Sequence, residues 1–337
     1  TLDLHISILR DLLKEHKVSL EEIAPKPDGH PYTICLSHDV DHPKIRFHKF
    51  DHTILGFLAR ATLGSVLYLF RGRTSVSNCV RNLLAAISMP FAQLGLIKDT
   101  WASFDKYIEI EKELPSTFFT IPFKGDPGIA PNGQRKMKRA SGYGAEDIKA
   151  ELECLTAAAK EIAVHGINSW SDPNEGRREL AEIVKFRKSD EKENGIRMHW
   201  LYFDSNSFAT LEDAGYTYDS TVGYNETIGY KAGTSQAFRP IGSNRLLELP
   251  LIIMDTSLFY PSHLGLTYDE AKEKVMSILQ LAKKHGGVVT INWHDRSLAP
   301  ERNWGPLYKW MIQQGRQDGA WFASMCQATA WFRERRK

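Results

Sequence analysis

The stretch PYTICLSHDVDHP, residues 31 to 43, decides the fold. Its first half, Tyr32 to Leu36, is β-branched and apolar and follows a turn-rich segment, a pattern that predicts a short buried β-strand. Four polar side chains come directly after this strand: His38, Asp39, Asp41 and His42. Because side chains alternate along a strand, Asp39 and Asp41 project to the same side.

Two carboxylates on one side of a strand end need a cation or a strong donor between them, because they cannot both ionise freely there. Leaving them buried and unpaired would be costly. A lone Asp at such a place is common in a turn or helix cap. Two Asp and two His within five residues instead favour a metal site or an acid/base site.

The composition is that of an ordinary globular protein. The 337 residues suit one large α/β barrel or two domains, and a net charge of +2 gives no reason to expect a nucleic-acid partner. The four cysteines form no CxxC pair, which favours a reducing compartment without a disulfide framework. No signal peptide is visible, so the expected location is cytoplasmic or membrane-peripheral.

Two regions outside the first strand have a helical pattern. Residues 1–23 show apolar residues at helical spacing and belong to an N-terminal unit, 1–30, that ends in a Pro- and Gly-rich link. Residues 44–97 contain two apolar stretches, each nearly long enough to cross a bilayer but interrupted by Arg, Gly or Pro. We interpret them as a helical pair packed on the main domain, with peripheral membrane contact by an amphipathic hairpin as the alternative.

Strands alternate with helices along the rest of the chain. The predicted strands after the first are Ser116 to Phe123, Glu161 to Val164, Met198 to Phe203, Tyr216 to Asp219, Leu246 to Met254, Gly287 to Trp293 and Trp321 to Ser324. This alternation predicts a parallel sheet with right-handed crossovers, and about seven such units favour a closed or nearly closed (β/α) barrel. Residues 31–337 are therefore expected to form one barrel domain, with 44–97 as a helical insertion after the first strand.

The active sites of such barrels lie at the carboxyl ends of the strands. In this sequence, those ends carry many polar residues: His165, Arg197, His199, Asp219, Asp255, His294 and Asp295. The sequence lacks GxGxxG, GxxxxGK[ST], HExxH and GxSxG motifs. A mixed set of Asp and His side chains suits Zn²⁺ or a similar divalent ion with an open coordination position.

The order of these motifs resembles the polysaccharide deacetylase family, the NodB-homology carbohydrate esterases, in a variant with HDVD in the first motif. Family members have a distorted (β/α) barrel and remove acetyl groups from N-acetylated sugars with a divalent metal. The matching positions are Ser37 to Asp41, His165, Arg197, Asp255 and Ile291 to His294. The likeness covers about residues 31 to 330, apart from 44–97.

The resemblance implies a role for each matching residue. The implied catalytic residues are Asp39 as base, His294 as acid, Arg197 keeping Asp39 ionised and Asp255 orienting His294. The implied metal ligands include Asp41 and His165. The second motif departs from the family pattern, because Ser169 stands where a second His is usual. We expect His199, two residues after Arg197 on the same strand face, to replace that ligand, with Ser169, His42 or water as alternatives.

Aromatic side chains near the strand ends are suited to stacking on sugar rings. The expected substrate contacts are Trp170, Tyr224, Trp293 and Asp295, and Asp295 is also a second candidate for orienting His294. Ordinary packing is an equal alternative for each aromatic residue. Residues 224–234 are expected to form a loop over the site.

The resemblance thus predicts a zinc-type, metal-dependent N-deacetylase that acts on an N-acetylated glycan of the cell envelope or of an exopolysaccharide. A hydrolase of a small amide or ureido compound on the same barrel is one alternative. A glycan-binding relative without activity is another, although a binding module has no use for both Asp39 and His294. A scaffold organised by the 44–97 hairpin is the third alternative, and failure to bind any metal would favour it.

Overall fold

The structure, a computed structural model, describes residues 2–19, 25–49, 51–72, 74–187 and 192–335. The first helix, α1, spans Leu2–Glu15 and ends near Lys17, which has a φ of 53°. It is therefore shorter than the helix predicted for residues 1–23, of which 1 and 20–23 lie outside the described residues. Asp3 anchors α1 on the main domain by accepting the Ser235 N–H at 2.9 Å. The boundary between residues 30 and 31 stays a prediction.

The described residues form one sheet of parallel strands. The strands are β1 Thr33–Val40, β2 Ser116–Thr120, β3 Glu161–Gly166, β4 Gly195–Met198, β5 Tyr218–Asp219, β6 Leu247–Glu248, β7 Leu251–Met254, β8 Val288–Asn292 and β9 Trp321–Phe322. Their spatial order is β6-β5-β4-β3-β2-β1-β8-β7, and β9 pairs with the first two residues of β1.

The two strands at the ends of this order, β6 and β7, are consecutive in the chain. β6 pairs with β5 and β7 pairs with β8, yet only Leu249 and Pro250 separate β6 from β7. Pro250 interrupts the strand because it has no N–H to donate. On either side of it, the N–H of Leu249 donates to Asp219 O at 2.8 Å and the N–H of Leu251 donates to Val222 O at 3.0 Å.

The sheet is thus curled into a half-barrel, which confirms the predicted fold class of a distorted (β/α) barrel. The sheet has nine strands, more than the predicted seven or so. Eight strands are predicted individually, the last of which, Trp321 to Ser324, corresponds to the short β9, and the ninth arises because Pro250 divides one predicted strand into β6 and β7.

The helical insertion between β1 and β2 is a hairpin. It contains α2 His52–Ala59, a π-helical turn Arg60–Gly64, α3 Ser65–Phe70 and α4 Val76–Gln93. The first arm, His52–Phe70, is the one helix among the described residues with the length and apolar composition of a membrane-crossing segment, and only 28% of its apolar 18-residue window is buried.

The remaining helices follow the strands. They are α5 Phe104–Ile110, α6 Lys149–Ala157, α7 Pro173–Val184, α8 Ser207–Ala214, α9 Asp255–Phe259, α10 Tyr268–His285, α11 Gly305–Asp318 and α12 Met325–Glu334. The sequence predicts helices near Glu175 to Lys188 and from Ala328 to Arg336, and residues 188 and 336 lie outside the described residues.

Alternation along β1 divides its side chains between two apolar layers. Ile34, Leu36 and Val40 belong to the main core, which also contains residues of α6, α10 and α11. Cys35 belongs to a second cluster with side chains from β2, β3, β5 and β8, in the interior of the barrel. The interior side of β1 therefore leads toward Asp39, where the polar site begins.

Candidate active site

Asp39, near the end of β1, is held by two side chains from neighbouring strands. Arg197 of β4 donates from Nη1 to Asp39 Oδ1 at 2.8 Å, and Asn292 of β8 donates from Nδ2 to Oδ2 at 2.7 Å. Burial raises the pKa of Asp39, but the Arg197 guanidinium together with His165 and His294 outweighs that effect, so the pKa falls below its usual value. Asp39 is therefore ionised at neutral pH.

Arg197 is fully buried and its position is fixed by contacts on every side. Its Nε donates to Ser220 O at 3.1 Å, its Nη2 donates to Ser220 Oγ at 3.0 Å, and the guanidinium lies 4.3 Å from the centre of the Phe119 ring. The remaining nitrogen, Nη1, is the one that reaches Asp39. The arginine thus supplies a permanent positive charge to one carboxylate.

Asp41, His165 and His199 form a compact group directly beside Asp39. Asp41 Oδ1 lies 3.2 Å from His165 Nε2 and 3.4 Å from His199 Nδ1, and these two nitrogens are 3.0 Å apart. The other ring nitrogen of His165, Nδ1, lies 2.9 Å from the carbonyl oxygen of Arg197. A proton on Nδ1 therefore leaves the Nε2 lone pair facing Asp41.

This group fits a divalent metal ion. Asp41 Oδ1 is buried and has no hydrogen-bond partner, which would be costly for a carboxylate oxygen without a cation. Ligand atoms bound tetrahedrally to zinc at 2.0–2.1 Å lie about 3.3 Å from one another. The three donor atoms are separated by 3.0 to 3.4 Å. The residues that could hold an ion are thus Asp41, His165 and His199.

His199 reaches this group from a turn, not from a strand. The strand predicted for Met198 to Phe203 is wrong, because β4 ends at Met198 and the chain then adopts a left-handed conformation, with φ of 62° at Trp200 and 55° at Leu201. Such backbone strain in non-glycine residues is frequent at functional sites. Burial lowers the pKa of His199 to about 4, so its ring is neutral, as a metal ligand must be.

The two alternative side-chain ligands have other partners. The Ser169 hydroxyl donates to Glu179 Oε2 at 2.6 Å and lies 3.2 Å from the Tyr216 hydroxyl, within a buried network. His42 Nδ1 lies 3.1 Å from His48 Nε2, within hydrogen-bond distance. Among the described residues, His199 is the histidine that completes the group with Asp41 and His165.

His294 lies across the mouth of the barrel with its ring held by Asp255. Its Nδ1 is 2.6 Å from Asp255 Oδ1, and its backbone N–H donates to Asp255 Oδ2 at 2.7 Å. Its Nε2 is 3.7 Å from Asp41 Oδ2. Burial lowers the pKa of His294, but Asp255 and the other nearby carboxylates outweigh burial and raise it to about 10. The ring is therefore a cation at neutral pH, with Nε2–H as a proton donor.

Two of the predicted sugar-stacking residues lie in the core. Trp293 is fully buried, stacks on Tyr308 with ring centres 5.4 Å apart and meets the edge of Phe259, so no sugar ring can reach its faces. Trp170 is only 6% exposed and packs near Tyr202. The packing alternative therefore applies to both residues.

The other two predicted substrate contacts lie close to the site. The Asp295 carboxylate accepts the His42 N–H at 2.8 Å, which joins the loop after β1 to the loop after β8. It does not contact the His294 ring, which is oriented by Asp255. Tyr224 is half-buried in the irregular 224–234 segment, and its carbonyl oxygen lies 3.3 Å from Ser257 Oγ, two residues beyond Asp255.

A cavity of about 190 Å³ adjoins Asp41 and His294. Its other lining residues are His42, Thr256, Tyr260, Arg296, Ser297, Arg302 and Trp304. Sequence reasoning missed Arg296, Arg302 and Tyr260, which lie beyond strand ends where no periodicity indicates direction. It also missed Asn292, although that residue is the last of β8 and lies two positions before His294, a spacing that places both on the same side of an extended chain.

The fold is shared with several solved structures. A protein from Pseudomonas aeruginosa PAO1 described as a polysaccharide deacetylase has a TM-score of 0.54 at 14% identity, covering 94% of this chain and 96% of that one. One from Mycobacterium smegmatis with the same description has a TM-score of 0.53 at 18% identity, with coverage of 94% and 96%. An allantoinase has a TM-score of 0.53 at 11% identity, with coverage of 94% and 95%.

No family model matches the sequence, and no curated protein matches it. The identities to the solved structures are below one fifth. The comparisons therefore establish the fold, and the chemistry has to be argued from the site.

Proposed function

We propose that this protein is a metal-dependent hydrolase that removes N-acetyl groups from an N-acetylated sugar or polysaccharide. The observation that carries the proposal is the arrangement at the barrel mouth. The ionised Asp39 lies beside the three-residue metal group, and Asp41 of that group lines one cavity together with the protonated His294. The description of two proteins with the same fold as polysaccharide deacetylases supports it.

The mechanism assigns the two proton transfers to different residues. Asp39 accepts a proton from the attacking water, and its contacts with Arg197 and Asn292 keep it ionised for that task. His294 then donates its Nε2 proton to the departing amine as the carbon–nitrogen bond breaks, which yields acetate and a free amino sugar. Asp41, His165 and His199 would hold a divalent ion, which when bound would supply Lewis-acid chemistry for the acetamide carbonyl and for water.

The opposite pKa shifts of Asp39 and His294 suit these roles. Arg197 lowers the pKa of the base, whereas Asp255 raises the pKa of the acid. Two titratable groups whose environments drive their pKa values apart are the usual sign of an acid/base pair. A module that only binds glycans would need neither shift.

The first test is the metal content of the purified protein, with His165→Ala and His199→Ala as variants. We expect about one zinc-like ion per chain and loss of the ion in both variants, because each removes one of three protein ligands. His5→Ala, a change on the exposed surface of α1, is the control and should retain the ion. An ion lost only from His165→Ala would remove His199 from the ligand set. No ion under metal-replete conditions would overturn the proposed function.

Hydrolysis of a small amide or ureido compound is the second candidate, because an allantoinase has the same fold at a similar TM-score. The two candidates differ in substrate. Chitooligosaccharides and allantoin, assayed in parallel with the metal-loaded protein, separate them: release of acetate supports the first, and hydrolysis of allantoin supports the second.

We also propose that the hairpin of α2 to α4 contacts an anionic membrane surface. Its inner side packs through Ile54 and Phe57 against Trp101, while its outer side leaves many apolar residues exposed, including Leu63 at 79% and Phe70 at 85%. No Asp or Glu occurs between Asp51 and Asp99, although the segment contains five Arg and Lys residues. An apolar surface with basic residues suits the interface of an anionic bilayer.

Vesicle flotation tests this contact. The protein should float with phosphatidylglycerol-containing vesicles more than with phosphatidylcholine vesicles, and the Leu63→Ser/Phe70→Ser double variant should lose most of that binding. Ile241→Ser is a matched control, because Ile241 is 97% exposed and lies outside the hairpin. Equal flotation of the double variant and the wild type would rule out the hairpin as the contact.

A further inference from the structure

The wall of the cavity opposite Asp41 and His294 carries two arginines from the loop after β8. Arg296 Nη2 lies 3.5 Å from the Tyr260 hydroxyl oxygen, and Arg302 Nη2 lies 3.2 Å from the same atom. Both guanidinium groups therefore converge on one phenol at the edge of the cavity.

The arginines have unused hydrogen-bond donors at this position. Arg302 is only 6% exposed and its Nε is buried without a partner, and Arg296 Nη1 is also buried without a partner. Glu301, which directly precedes Arg302, has both carboxylate oxygens buried without a hydrogen-bond partner. It therefore does not accept hydrogen bonds from these donors. Buried charged donors without partners are costly unless a ligand meets them.

The local potential around the phenol is positive. Burial raises the pKa of Tyr260, but the cations Arg302, Arg296 and His294 outweigh burial and lower it. A third arginine, Arg60 of the hairpin, interacts electrostatically with Arg302 and has its own Nε buried without a partner. Glu301 interacts electrostatically with all three of these guanidinium groups.

We propose that Arg296, Arg302 and Tyr260 form an anion subsite that binds a phosphoryl group carried by the glycan substrate. The forked guanidinium matches the oxygens of a phosphate, and the phenol hydroxyl offers a further donor. The inference rests on the proposed function, because the subsite shares its cavity with Asp41 and His294. A sugar whose acetamide lies at those residues would place a phosphate substituent against the arginines.

The position of the subsite is consistent with such a substrate. The segment that carries Arg302 also contacts the hairpin, since Asn78 of α4 donates to Asn303 at 3.4 Å and Ala299 packs with Phe57. The cavity of about 190 Å³ has room for a phosphorylated sugar ring only if part of the sugar remains outside. The remainder of the glycan would therefore extend away from the barrel mouth.

Binding of three probes to the full chain tests the inference: N-acetylglucosamine, N-acetylglucosamine 1-phosphate and inorganic phosphate. Calorimetry is done with a chelator present, so that phosphate cannot bind to a metal at Asp41. We expect the sugar phosphate to bind at least about tenfold more tightly than the neutral sugar, which corresponds to about 1.4 kcal/mol. Arg302→Gln and Arg296→Gln should each remove most of that preference, and Arg316→Gln, an exposed change on α11, should leave it intact.

The outcomes distinguish a phosphate carried by the sugar from free inorganic phosphate. Equal affinity of the wild type for the neutral sugar and the sugar phosphate overturns the proposal. Inorganic phosphate that binds as tightly as the sugar phosphate also overturns it, because the site would then recognise free phosphate. If Arg302→Gln fails to fold, the affinities of Arg296→Gln and of the wild type for the sugar phosphate and the neutral sugar still test the proposal. The measurement does not depend on turnover, so its failure is distinct from failure of the deacetylase proposal.

Discussion

Two histidine–carboxylate pairs lie at the ends of adjacent strands, yet they have different surroundings. In one, His38 Nε2 is 2.7 Å from Glu111 Oε1, with both side chains fully buried. In the other, His294 Nδ1 is 2.6 Å from Asp255 Oδ1, with the imidazole 15% exposed. Sequence reasoning counted both histidines among the residues at the barrel mouth.

The contrast lies in what the second ring nitrogen does. His38 Nδ1 is 2.7 Å from the carbonyl oxygen of Trp293, and the ring is packed between Tyr107 and Phe118. No nitrogen of His38 remains for a substrate. His294 Nε2, in contrast, is directed toward Asp41 beside the cavity. A pair becomes suited to catalysis when one of its atoms is left for the substrate.

The carboxylates differ in the same way. Glu111 also accepts hydrogen bonds from Ser116, Lys160 and Tyr308, at 2.6, 3.1 and 2.5 Å. It therefore connects α5, β2 and α11 in a closed network that stabilises the fold. Asp255 accepts from the His294 ring, the His294 backbone and Ser297, and each of these contacts fixes the position of one imidazole or its loop.

Replacing the open histidine should have the largest effect. His294→Ala removes the proton donor for the leaving amine, so we expect turnover to fall by about a hundredfold to ten-thousandfold. Metal content and the circular dichroism spectrum should stay unchanged, because neither the ligands nor the core is altered. Steady-state kinetics with the metal-loaded variant measures the loss. A rate within tenfold of the wild type would remove His294 from the mechanism.

Replacing the closed carboxylate should instead affect stability. Glu111→Gln removes the negative charge opposite Lys160 and His38, so we expect the free energy of unfolding to fall by about 3 kcal/mol. Urea unfolding at neutral pH measures the change. Glu109→Gln, an exposed substitution on the same helix, should alter stability by less than about 0.5 kcal/mol. Equal stability of both variants would show that the network around Glu111 is not important for folding.

Replacing the carboxylate of the open pair should reduce activity to an intermediate extent. Asp255→Asn keeps a hydrogen-bond acceptor near His294 Nδ1 but removes the charge, so we expect turnover to fall by about tenfold or more. Asp255 raises the pKa of His294, and the protonated ring is the active form. Activity is therefore lost as pH rises through that pKa, and in the variant the loss should occur at lower pH. An unchanged alkaline limb would mean that Asp255 does not act through His294.

Much of this site follows from strand alternation and the placement of strand ends. Asp39, Asp41 and His165 lie on the sides that a period of two predicts, whereas His199 is close to Asp41 because of a turn and not because of strand spacing from Arg197. The same rule places His38 and Trp293 on the opposite side, so their exclusion from the cavity was available from the sequence.

Other parts of the molecule depend on contacts that no local pattern records. The strand interruption at Pro250 is visible in the sequence, but the pairing of β6 and β7 with opposite ends of the sheet is not. Arg296 and Arg302 lie in an irregular loop, where direction is set by tertiary packing against Tyr260. The turn that directs His199 is likewise set by tertiary contacts, so the local pattern predicts a continuing strand there.

The smallest expected effect concerns the pH dependence of stability at the closed pair. Burial raises the pKa of Glu111, but His38 and Lys160 outweigh it and lower the pKa to about 2, below its ordinary value of 4.5. The ionised form is therefore stabilised in the folded state, and this contribution is present above pH 4.5 and is lost as pH falls toward 2. Between pH 5 and 3.5 the loss amounts to about 1 kcal/mol. The difference in unfolding free energy between the wild type and Glu111→Gln should narrow by that amount, as measured by urea unfolding at the two pH values. Because Asp39 and Asp41 titrate in both proteins, their contribution cancels, and a constant difference would mean that Glu111 is not held ionised by its partners.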